Sequence, residues 1–131
     1  MAEALLRDLP ENPYCALLAM VERYWSFMLK NKQLYRLMNG MDGVPIDGDR
    51  VTEVAQRSFE APTAILEVWL ATACGSGSGA GLLFEDLWAV LHGMAVLHLD
   101  RSAPFDMQRA EDCVSKLLVG TREQARRARR A

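Results

Sequence analysis

The stretch "LWAVLHGMAVLHL", residues 87–99, constrains the fold more than any other part of this chain, because it stays apolar over the length of a helix. A helix that is apolar most of the way round must be covered on more than one side. The stretch also contains Gly93, and a glycine inside a helix costs about 1 kcal/mol relative to alanine. Small residues let two helix backbones approach closely, so Gly93, with Ala89 and Ala95 nearby, points to packing against a partner helix. One side of such a helix faces the chain's own core and the other a second copy. Paired helices from two chains then form a four-helix bundle with self-complementary contacts.

The remaining segments also read as helix. Tyr14, Leu17, Leu18, Val21, Trp25, Met28 and Leu29 recur at helical spacing, with Asn12 as N-cap and Pro13 at the first helical position. Before them, "AEALLRDLP" reads as the end of a helix stopped by Pro10. A short helix "KQLYRLMN" ends at Gly40, and "GMDGVPIDGD" follows as a loop rich in glycine, proline and aspartate. From Asp49 the helical pattern resumes with Pro62 in its middle, where a lost hydrogen bond and a steric clash predict a kink or two abutting helices. "CGSGSGAG" reads as a flexible connector to a helix over roughly Leu82 to Leu99. After the turn "DRSAPFD", Asp106 is the expected N-cap of a last helix, with Ala110, Cys113, Val114, Leu117 and Leu118 on one face. No segment alternates with a period of two residues, so the chain is expected to be all-α.

With 131 residues, half of them hydrophobic, the chain suits one domain with a sizeable core. The net charge of −2 averages an acidic body with a basic tail over 122–131 that holds Arg122, Arg126, Arg127, Arg129 and Arg130. The tail reads as a solvated helix end whose arginines suit the negative end of the helix dipole. The body offers no general basic surface for nucleic acid. Cys15, Cys74 and Cys113 form an odd set without a C-x-x-C pair, which gives neither a disulfide framework nor a zinc site. Each is expected to be a buried thiol, and a reducing cytoplasm fits them. Glu3, Arg7, Asp8 and Glu11 interrupt any apolar core of a secretory signal. The longest uncharged stretches fall short of about 20 apolar residues or contain glycines, so no membrane span is expected.

One competing parse is a nucleotide site. Gly75, Gly77 and Ala80 match G-x-G-x-x-A, and Asp100 falls where a dinucleotide fold places its ribose-binding carboxylate. That fold needs several parallel strands, and the residues before Val68 read as helix, so the glycine run is expected to be a surface connector. His92 and His98 are six residues apart and point to different sides of a helix, so they do not share a metal. His92 by itself is either a satisfied buried histidine or a polar group lining a cavity, and His98 is structural or at an interface. Glu85 and Asp86, near the start of their helix, are expected to serve its dipole. No catalytic constellation, metal site or cofactor motif emerges, and an enzyme is not expected. Large adaptable side chains recur instead: Met20, Tyr24, Trp25, Met28, Met38, Met41, Phe59, Trp69, Trp88 and Met94. Together, methionines and aromatics make a cavity that can re-pack around varied ligands.

Trp88-x-x-x-His92-Gly93 within "LWAVLHGMAVLHL" resembles the Trp-His-Gly signature in the C-terminal domains of one branch of the TetR family of transcriptional regulators. The segment "YWSFMLKNKQLYRLMNG", Tyr24 to Gly40, is similar to the aromatic helix, turn and L-Y-x-L-M segment of that branch. The helix order and the Pro62-interrupted segment agree as well, and the resemblance covers about Asn12 to Thr121. It implies an all-helical bundle that binds a small apolar or aromatic effector in an internal cavity and forms a homodimer through its last two long helices. The implied pocket residues are Tyr24, Met28, Phe59, Trp69, Trp88 and His92, with His92 as polar anchor. The implied seam holds Gly93, Leu97, Val114 and Leu117. Residues 1–131 are then a single effector-binding domain, with 1–11 as a remnant of a connecting helix and no helix-turn-helix before Asn12, so direct DNA binding is not expected. A stand-alone helical interaction protein, or a heterodimer partner of a longer relative, is the alternative in a different class.

Overall fold

Asn12 and Pro13 start the first helix as their chemistry requires. The Asn12 side chain accepts a hydrogen bond from the backbone N–H of Cys15 at 3.1 Å, and Pro13 occupies the first turn, where no donor is needed. The computed structural model of the chain describes residues 6–39, 48–101, 103 and 105–130. Among the described residues it contains five helices of four residues or more and no strand: α1 (Pro13–Lys30), α2 (Lys32–Met38), α3 (Gly48–Cys74), α4 (Ala80–Arg101) and α5 (Met107–Arg130). The expected helix before Pro10 falls largely outside the described residues, as does the loop over 40–47; Leu6 is helical and Arg7 and Asp8 form a turn.

α1 packs along α5 and α3 along α4, with α1 also against α3 and α4 against α5. Each helix presents one apolar stripe to a shared core. α1 contributes Leu17, Val21, Trp25 and Met28; α3 contributes Leu66, Trp69 and Leu70; α4 contributes Leu83, Leu87, Leu91 and Met94. α5 adds Ala110, Val114 and Leu118, spaced four apart and therefore on one face. The hydroxyl groups of Tyr14 and Ser115, 2.7 Å apart, join α1 to α5, and an Arg36–Asp100 ion pair at 2.7 Å joins α2 to α4. Asp106 caps α5 as expected, its carboxylate accepting from the Arg109 N–H at 2.8 Å.

Four expectations are corrected. α3 is one continuous helix through Pro62 and not two abutting ones, with Leu66, Trp69 and Leu70 beyond the proline buried in the core. The glycine connector is folded tightly onto α3: Gly75 and Gly79 adopt φ of 81° and 89°, and a Cβ on Gly77 would lie 3.0 Å from the Glu67 carbonyl oxygen. α4 begins at Ala80, which leaves Glu85 and Asp86 beyond its first turn and exposed to water. Cys15 is exposed, and Cys74 and Cys113 are half-buried at the edge of the core, packed against it.

The basic tail continues α5 to Arg130. A Cβ on Gly75 would lie 3.2 Å from Nη1 of Arg129, so this guanidinium sits against the C-terminal end of α3, where the helix dipole is negative.

Candidate functional site

Among the described residues the core leaves a half-open cavity of about 130 Å³ between α1, α3, α4 and α5. Leu17, Met20, Val21 and Tyr24 line it from α1, Ser58, Phe59, Pro62 and Leu66 from α3, Phe84, Leu87, Trp88 and Leu91 from α4, and Val114 from α5. The proline that interrupts α3 in sequence thus forms part of the wall, its ring presenting apolar surface. Phe59 is the hub of the aromatic side, with ring centroids 4.8 Å from Phe84 and 5.9 Å from Trp88. Trp88 both borders the cavity and is 40% exposed, so wall and outer surface coincide there.

A polar chain leads away from this apolar wall. The hydroxyls of Tyr24 and Tyr35 lie 2.7 Å apart, and the Tyr35 hydroxyl lies 2.9 Å from Nδ1 of His92. His92 in turn stacks on Trp88, with centroids 5.0 Å apart and planes 14° from parallel. α1, α2 and α4 each supply one link, and the short α2 is held in place by the Arg36–Asp100 pair. Burial pushes the Tyr24 hydroxyl far above the ordinary tyrosine range, and the adjacent Tyr35 pushes it further. Burial also raises Tyr35, while its hydrogen bond with Tyr24 works in the opposite direction. The imidazole of His92 is lowered by burial, which favours the neutral ring with a free nitrogen to accept from a hydroxyl.

The structure brings Tyr24, Phe59 and Trp88 together at the cavity, whereas Met28, Trp69 and His92 are not in its wall. Met28 is fully buried one turn beyond Tyr24. Trp69 is ten residues past Phe59, about 15 Å along the helix axis, and packs in the core instead. His92 stands behind Trp88, on which it stacks, and its hydrogen-bonded link to the cavity wall runs through Tyr35 to Tyr24. Tyr35 is the participant that periodicity missed: it lies on a different helix from Tyr24, and only the turn at Asn31 brings the two rings within 6.1 Å.

The residues expected at a seam divide as well. Val114 is 1% exposed and belongs to the chain's own core, and Leu117 packs against that core. Gly93 and Leu97 lie on the outer side of α4, where Leu97 is 38% exposed and a Cβ on Gly93 would meet nothing within 4 Å. The close approach expected at Gly93 is therefore not made within this chain. Leu82, at 71% exposure, and the exposed Ala89 extend the same stripe. By length and composition the segment 80–100 would suffice to cross a membrane, with mean hydropathy 1.4 and 28% of the stretch buried, because its glycines do not break the helix. His98 takes a separate structural role, with Nδ1 3.0 Å from the Ala103 carbonyl oxygen and its ring against Trp25. The indole N–H of Trp25 is buried and has no hydrogen-bond acceptor among the described residues. No group of three or more histidine, cysteine, aspartate or glutamate side chains among the described residues is placed to hold a metal.

No curated protein and no solved structure matches the chain. The family model described as "Tetracyclin repressor-like, C-terminal domain" matches residues 17–120. That span includes every residue of the cavity wall, the polar chain behind it and the outer stripe of α4, and the chain belongs to this family of tetracycline-repressor-like C-terminal domains.

Proposed function

We propose that this chain is the effector-sensing and dimerising part of a TetR-like transcriptional regulator of the Trp-His-Gly branch, with its effector held in the cavity between α1, α3 and α4. The observation that carries this reading is the geometry of α4. Trp88 and Leu91 line the cavity, while Ala89 and Gly93, one and two residues further along, open onto the uncovered side of the same helix. An effector that presses on Trp88 and Leu91 and a second copy that packs on Ala89 and Gly93 therefore act on one rigid element. Effector binding shifts the population between two arrangements of the α4 pair, by as much as the effector prefers one of them. The uncovered apolar stripe is accounted for in the same way, since small residues at 89 and 93 admit a second helix closely.

Light scattering after size exclusion, on the native chain and on Gly93→Leu, tests the seam. The single chain has room for the larger side chain, because nothing lies within 4 Å of the position a Cβ would take. The expected result is a native dimer and a folded, monomeric variant. A monomer in both cases, or a variant that dimerises as well as the native chain, removes Gly93 from the interface and leaves the exposed stripe of α4 without this partner.

A further inference from the structure

We propose that the cavity selects a single-ring aromatic or similarly small apolar molecule bearing one hydrogen-bond donor, and that the Tyr24 hydroxyl oxygen, oriented by Tyr35 and His92, receives that donor. This rests on the effector-cavity reading above. Size sets the first half of the statement. An apolar cavity of roughly 150 Å³ holds one benzene ring, so about 130 Å³ accommodates one ring with small substituents.

The direction of the hydrogen bonds sets the second half. Tyr35 has one proton and two neighbours, the Tyr24 oxygen at 2.7 Å and His92 Nδ1 at 2.9 Å. Burial favours the neutral ring. In its Nε2–H tautomer, which is part of the proposal, Nδ1 is much the stronger acceptor. Tyr35 therefore donates to His92, and Tyr24 donates to Tyr35. With its only proton committed, the Tyr24 oxygen keeps acceptor capacity alone, and a hydroxyl that donates along such a chain becomes a better acceptor. At the Tyr24 oxygen a ligand hydroxyl or N–H meets a partner and an ether or carbonyl does not; the Ser58 hydroxyl is the other polar side chain in the wall.

Two isosteric pairs test this by calorimetric titration at pH 7.5: phenol against toluene reads donor recognition, and anisole against ethylbenzene reads acceptor recognition. Phenol loses more on leaving water than toluene does, so toluene would bind better in a purely apolar site. The expected result is phenol about tenfold tighter than toluene, with anisole no tighter than ethylbenzene. In Tyr35→Phe the Tyr24 proton is released and anisole gains on ethylbenzene, while unchanged toluene affinity reports that the cavity is intact. Phenol no tighter than toluene in the native chain overturns the proposal and leaves the cavity reading standing. Native anisole favoured as strongly as phenol, and in Ser58→Ala as well, also overturns it, because Tyr24 would then be donating. Failure of all four compounds to bind removes the cavity reading itself, and the selection with it.

Discussion

The inner and outer faces of α4 carry similar apolar side chains in opposite surroundings. Inside, Leu83, Leu87, Leu91, Met94 and Ala95 are each 9% exposed or less and contact the stripes of the other helices. Outside, Leu82 is 71% exposed and Leu97 38%, with Ala89 and Gly93 between them. The difference is one of side-chain size as well as cover. Large residues at four-residue spacing fill the inner face by shape, whereas the outer face has small residues at its middle and holds space open. Packing within the single chain thus accounts for only one face of this helix's apolar pattern.

Truncating each face gives the largest expected contrast. Leu87→Ala leaves a hole beside an existing cavity in a packed interior and should cost about 2–5 kcal/mol in chemical denaturation. Leu97→Ala, measured on the Gly93→Leu background, where only the single chain contributes, should stay within roughly 0.5 kcal/mol. Equal losses at the two positions would mean that the faces do not differ in cover.

The helices and the apolar stripes were legible because burial imposes a period of 3.6 residues on side chains that share one core. Caps at Asn12 and Asp106 were legible because they are local, needing only one side chain and a backbone N–H three residues on. The cavity was half legible: side-chain type together with the family resemblance points to Tyr24, Phe59 and Trp88, which line it, but neither says how far along a helix the packing gap falls. Hence Trp69, of the same character as Trp88, ends in the core. The Tyr24–Tyr35–His92 chain joins three helices through hydroxyl and ring atoms and leaves no periodic trace in sequence. Val114 was placed at the seam because its stripe is apolar, and an apolar stripe does not declare whether its partner is the same chain or another.

Tyr24 sharpens the inner side of the comparison by a smaller amount. Tyr24→Phe keeps the ring in the cavity wall and removes one hydrogen bond, leaving Tyr35 still bonded to His92. The expected loss of stability is about 1 kcal/mol, well below that of Leu87→Ala. Loss of the phenol-over-toluene preference in the same variant, with toluene binding retained, would separate its role in the fold from its role toward a ligand. A loss as large as that of Leu87→Ala would instead make the hydroxyl chain a main support of the packing.

His92 lies between the two faces, flanked by buried Leu91 and open Gly93, and its titration gives the smallest effect. Burial lowers its folded-state value from the ordinary 6.5, so the folded protein takes up the proton less readily than the unfolded chain. Above about 6.5 both states hold a neutral ring and stability does not depend on this group. As pH falls from there, the unfolded chain gains protons first, and stability declines until the folded ring is also protonated. Protonation additionally turns Nδ1 from acceptor to donor, which opposes the hydrogen bond it accepts from Tyr35. Denaturation midpoints measured from pH 8 to pH 5 should therefore fall in the native chain and fall less steeply in His92→Asn, the difference between the two curves isolating this ring from His98. A native curve that rises toward acid would mean that the fold prefers the charged imidazole, and that Tyr35 accepts from it; the polar chain would then point its proton toward the cavity instead of away from it.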